Sequence, residues 1–138
     1  MRNNELALDY VRRAEVRLQA LDVLFNGESW ADVVRESQEI VELALKGLLR
    51  SCGIEPPRIH DVSEILLTER DRLPEPLHAD LEQLAQASKD LRRDRDLAFY
   101  GAEDLTPSSF YSQADAVAAR DAARMTVETV KPFVAKAS

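Results

Sequence analysis

Residues 30–50 read WADVVRESQEIVELALKGLLR, and in them Trp30, Val34, Ser37, Val41, Ala44 and Leu48 recur at alternating steps of four and three. That spacing places them on one face of an α-helix, whereas a half-buried strand would repeat every second residue. Ser29 stands at the position of an N-cap, and Gly53 with Pro56-Pro57 forbids continuation beyond the end. The stretch predicts a long helix, central to the fold.

Upstream, Ala7, Val11, Ala14, Leu18, Leu21 and Phe25 follow the same steps until Asn26-Gly27 ends the run. Downstream, His60-Asp61 leads into a short helix, in which Asp61 and Glu64 have capping-box spacing and Ile65-Leu66-Leu67 supplies the buried contact. Pro74 and Pro76 reset the chain before a fourth helix carrying Leu77, Leu81, Leu84, Ser88, Leu91, Arg95 and Ala98 on one stripe. Tyr100-Gly101 and Thr106-Pro107-Ser108-Ser109 mark a turn-rich loop. A last helix holds Ala116, Ala119, Ala123, Val127, Val130 and Val134 on one side, with Pro132 expected to kink or fray its final turn. Amphipathic helices joined by short loops bury all their stripes most simply as an antiparallel up-and-down bundle of four to five helices. The whole chain, 1–138, is read as one all-α domain.

Composition agrees and excludes several classes. The chain has 138 residues, 45% hydrophobic and 31% charged, which suits one core without disulfide or metal support. Its single cysteine, Cys52, cannot form an internal disulfide and rules out multi-cysteine zinc patterns. No segment has the length of a membrane span, and Met1-Arg2-Asn3-Asn4-Glu5 lacks a signal-peptide apolar region, so a cytoplasmic protein is expected. Eighteen Lys and Arg against 25 Asp and Glu give a net charge of -7, which opposes sequence-blind attraction to nucleic acid or anionic membrane. A polyanion site must then be a local patch.

Arg95 is the main anomaly. A permanently charged guanidinium on a packing stripe needs a carboxylate, a phosphate or a partner chain to offset its desolvation. Lys89, Arg92 and Arg93 could join it in a cationic patch, though Asp90, Asp94 and Asp96 nearly cancel them. Tyr100 follows five residues on, where its ring could stack on a base or simply pack. Phe99, Phe110 and Tyr111 read as anchors that pin the loop. Glu42 and Lys46 have the spacing of an exposed ion pair. His60 and His78 are not at metal-ligand spacing, and no metal or other cofactor is implied. No phosphate-binding glycine loop, nucleophile elbow or paired-carboxylate signature occurs, which removes the common hydrolase and nucleotide-hydrolysing classes.

The run Arg92-Arg93-Asp94-Arg95-Asp96-Leu97-Ala98-Phe99-Tyr100-Gly101, followed by Pro107, Tyr111 and Asp115-Ala116, resembles the C-terminal signature of small prokaryotic HEPN-domain proteins. The upstream block of Glu42, Leu45, Lys46, Leu48 and Leu49, then Gly53, Pro56-Pro57 and His60-Asp61, is similar to that family's second helix and the loop after it. The resemblance implies a helical bundle, usually a homodimer, that binds nucleotides or RNA. Such proteins are often paired with a minimal nucleotidyltransferase as toxin and antitoxin. Some members are metal-independent ribonucleases that use an arginine and, four to six residues later, a histidine. Here the arginine maps to Arg95, while Tyr100 occupies the histidine position, and a phenol with a pKa near 10 is a poor general base at neutral pH.

The expected function is a nucleotide- or RNA-binding module, non-catalytic or weakly catalytic, contacting its ligand through Arg95, Tyr100, Arg92, Lys46 and His60. The alternatives are a ribonuclease toxin using Arg95 and Tyr100, and a structural helical interaction protein in which Arg95 is only an interface ion pair.

Overall fold

The computed structural model describes the backbone of residues 2–58, 62–100 and 110–137, and the side chains of 4–58, 62–91 and 110–134. Four long helices, α1 (Arg2–Asn26), α2 (Trp30–Ser51), α4 (Leu81–Tyr100) and α5 (Gln113–Ala137), are joined by the short α3 (Ser63–Thr68) and two 3-10 turns, Arg70–Arg72 and Glu75–Asp80. No strand occurs among the described residues. The all-α bundle is as the periodicity predicts.

The helix α2 is its centre, packing against α1, α4 and α5. From α1, Ala7, Val11, Ala14 and Leu21 reach the core, with Leu18 and Phe25 at its edge. Val34, Ser37, Val41, Ala44 and Leu48 of α2 are buried, as are Leu77, Leu81, Leu84, Ser88 and Leu91 from the segment through α4. The α5 stripe from Ala116 to Val134 is buried throughout. In α3 only Leu66 is fully inside, and Leu67 faces solvent. Ser88 serves the fold directly: its Oγ accepts the buried backbone N–H of Val62 at 3.0 Å and so ties the entry of α3 to α4.

Two local expectations change. Ser29 does not cap α2 with its side chain; its Oγ donates instead to Asp32 Oδ2 at 2.6 Å. Past Pro132, α5 continues to Ala137, and Val134 is buried in the core. Leu77 lies in the 3-10 turn before α4 rather than in the helix. The Asp61 half of the proposed capping box lies outside the described residues. A reciprocal cap does exist at α5, where Ser112 and Asp115 exchange bonds: Asp115 Oδ2 accepts the Ser112 N–H at 2.9 Å and Ser112 Oγ accepts the Asp115 N–H at 3.3 Å.

Both helix ends that flank α2 close by the same device. After α2, Ile54 N–H reaches Leu49 O and Gly53 N–H reaches Arg50 O, with Gly53 at φ +72°. After α1, Ser29 N–H reaches Leu24 O and Glu28 N–H reaches Phe25 O, with Glu28 at φ 57°. Each is a Schellman closure that needs a left-handed residue, and at the first turn that residue is a glutamate beside Gly27. The α1–α2 crossing is tight at Gly47, where an added Cβ would stand 3.2 Å from Ala7 O and from Val11 Cγ2. Arg17 reaches across the same interface to Glu36 at 3.1 Å. Burial pushes the Glu36 carboxyl up, and the Arg17 guanidinium offsets this only in part.

Two stability outcomes follow. Glu28→Gly removes the left-handed penalty and raises stability by about 0.5–1 kcal/mol. Gly47→Ala lowers it by roughly 1 kcal/mol or more, because overpacking against a backbone carbonyl outweighs the gain in helix propensity. Urea denaturation of both variants checks the two signs.

Candidate functional site

On α2 the face turned to α1 is marked by Glu36, Gly47 and Arg50, the last with its guanidinium 5.7 Å from the Tyr10 ring centre. Gln38 and Glu42 lie about 200° and 240° around the helix from Glu36 at 100° per residue, on the side turned away from α1. A polar ladder runs along that side. Gln38 Nε2 donates to Glu42 Oε2 at 3.5 Å, and Lys46 Nζ donates to Glu42 Oε1 at 2.7 Å.

The Glu42–Lys46 pair is therefore not the exposed pair its spacing suggests: the side chains are 12% and 20% exposed. An i,i+4 spacing says that two residues share a face, and only the surrounding helices decide whether that face is wet. Gln38 was not singled out in the sequence, yet it is 2% exposed and its Oε1 has no partner among the described residues. The available signal was an amide set among Val34, Val41 and Leu45, which are core residues in the same turns.

Val62 is held at Ser88, and Leu91 shares a cleft of about 190 Å³ with Ala119 and Ala122 of α5. Arg120 of α5 stacks on Phe25 beside Trp30. Arg95 and Tyr100 occupy the second half of α4. The Lys46 ammonium is engaged by Glu42. The side chains of Arg92, Arg95 and Tyr100, and all of His60, lie outside the described residues. His78 has a structural contact, Nε2 lying 3.0 Å from Leu73 O. Of the loop aromatics, Tyr111 is buried and meets Phe110 edge-on at 5.0 Å, while Phe110 is exposed and the Phe99 side chain lies outside the described residues.

The larger clefts lie elsewhere: one of about 530 Å³ between α1 and the end of α5, around Leu8, Arg12 and Lys131, and one of about 580 Å³ between α3 and α4, around Leu67 and Lys89. Among the described residues no group of three or more His, Cys, Asp or Glu side chains forms a metal site. None of the described helices is long and apolar enough to cross a membrane.

Comparison with known families gives one match, to the HEPN domain, over residues 7–135. The chain belongs to the HEPN-domain family. No curated protein and no solved structure matches it. The match spans all four long helices and both blocks of motif residues, and at the family level it supports a nucleotide- or RNA-related helical module.

The polar ladder makes a definite prediction for this HEPN chain. Lys46→Ala strips a mostly buried carboxylate of its closest cation and lowers stability by roughly 2 kcal/mol, between the values of exposed and fully buried pairs. The double variant Glu42→Gln, Lys46→Met loses less than the sum of its singles, as chemical denaturation in a double-mutant cycle will register.

Proposed function

We propose that this HEPN protein binds a phosphate-bearing ligand, a nucleotide or RNA, through Arg95 with Tyr100 beside it, and that it cleaves the ligand weakly or not at all. Supporting this reading is the family match, together with polar residues where a purely packed helix would be apolar: Gln38 and Glu42 are largely shielded on α2, and Arg95 takes a stripe position of α4. Helices packed for stability alone would be apolar at these positions, since a buried charge is seldom better than a hydrophobic contact.

In this reading the Arg95 guanidinium takes a phosphate by two parallel N–H···O bonds, and Arg92 adds charge a turn earlier. Lys46, held by Glu42, and His60, after α2, stand at the edges of the contact set. Tyr100 offers a ring for stacking and a hydroxyl for donation. It is a poor base near neutral pH, which removes the proton acceptor that ribose attack requires. We further propose a homodimer in which paired Arg95 side chains favour an anion between them. Its partner would be a minimal nucleotidyltransferase in a toxin–antitoxin type pair in the cytoplasm.

Arg95→Ala should weaken binding of a phosphate-bearing ligand at least about tenfold, and Arg95→Lys should recover only part, since it keeps the charge without the two-pronged contact. Tyr100→Phe should change affinity by less than about threefold, because the ring remains. Isothermal titration with nucleotides and short RNA reads all three. Unchanged binding in Arg95→Ala together with loss of the dimer would make the arginine purely structural.

A further inference from the structure

Of the six large hydrophobic side chains exposed among the described residues, four belong to α1: Leu6, Leu8, Val16 and Val23, the last two 60% and 74% exposed. At 100° per residue Leu8, Arg12, Val16, Gln19 and Val23 fall within about 80° of one another, on a side turned away from Ala7, Val11, Ala14 and Leu21. All five are exposed. The contacts of α1 lie elsewhere on its surface, with α2 through Arg17 and Glu36, and with α5 through Glu15 to Lys131 and Asp22 to Arg124. The helix therefore carries a second apolar stripe that its own fold leaves uncovered.

The order of residues along the stripe points to what covers it. Read from either end, the sequence is apolar, polar, apolar, polar, apolar, at Leu8, Arg12, Val16, Gln19 and Val23. A second copy of α1 laid antiparallel on the first, with the two-fold axis at Val16, sets Val16 against Val16, Leu8 against Val23 and Arg12 against the Gln19 amide, along about 22 Å of helix. Shape agrees with this register. The cleft of about 530 Å³ lies around Leu8 at one end of the stripe, and Val23, the most exposed large apolar side chain among the described residues, stands at the other. Antiparallel packing brings each Val23 to the cleft of the opposite copy. Parallel packing would set Arg12 on Arg12, a like-charge contact, and would hold Val23 far from either cleft.

We infer that the outer stripe of α1 is a self-association face, on which a second copy of this chain packs α1 against α1 in antiparallel register, each copy seating Val23 in the other's Leu8 cleft. The face belongs to α1, which packs on α2 and α5, whereas Arg95 belongs to α4. It is separate from the two-fold contact proposed above for Arg95 and does not rest on it. Two isologous faces on one chain carry its assembly past the dimer.

Sedimentation velocity of the full chain over a concentration series tests the face. Val16→Lys sets two ammonium groups together at the two-fold axis and should weaken one association step at least about tenfold, as should Val16→Glu. Mixing the Val16→Lys and Val16→Glu chains should restore that step, because opposite charges then meet. The register has its own check: Leu8→Lys and Val23→Glu chains should each associate poorly alone and recover when mixed, since antiparallel packing brings these two positions together. Leu67→Lys, which alters an exposed leucine of α3 away from the stripe, should change association less than about twofold. Thermal melts confirm that each variant is folded, as expected for exposed positions. Equal association of native and Val16→Lys chains overturns the inference, and so does a loss that mixing does not repair. If Arg95→Ala dissociates the assembly while Val16→Lys does not, only the α1 face fails. If the native chain is monomeric throughout the series, both self-association proposals fall.

Discussion

One helix has to be buried on almost every side, and the rest of the bundle follows from that. Because α1, α4 and α5 all pack on α2, its side chains meet protein over most of the circumference. On the α1 side the crossing is close enough that a Cβ at position 47 would stand 3.2 Å from Ala7 O. Ser37, Val41, Ala44 and Leu48 of α2 are all buried. Any ionisable residue on such a helix pays for partial desolvation. This accounts for the raised Glu36 carboxyl despite its bond to Arg17, and for the low exposure of Glu42 and Lys46.

Much of this architecture was legible in the sequence. The alternating steps of four and three identified every long helix, and the stripe residues of α1, α2 and α5 went to the core or its edge. What could not be read was the environment of a helical face. Glu42 and Lys46 carry the spacing of a solvated pair, and nothing local says that α2 has no broad solvated face. Gln38 was passed over for the same reason. Capping was uncertain because it depends on a single rotamer: Ser29 has the right identity and position, yet Asp32 captures its hydroxyl.

The site was legible in part. The register of Arg95 and the family signature around it came from the sequence, and the match over residues 7–135 secures the family. The burial of Gln38 and of the Glu42–Lys46 pair came only from the fold, because it depends on the helices packed around α2.

The central claim is that this HEPN bundle binds its anion at the second half of α4, through Arg95. Backbone amide chemical-shift mapping during titration with a single-stranded RNA oligonucleotide tests it most directly. The account predicts saturable shifts concentrated in residues 92–100, with the cleft at Leu8 and Lys131 unaffected. Shifts confined to that cleft, or none at RNA concentrations well above the protein, would contradict it.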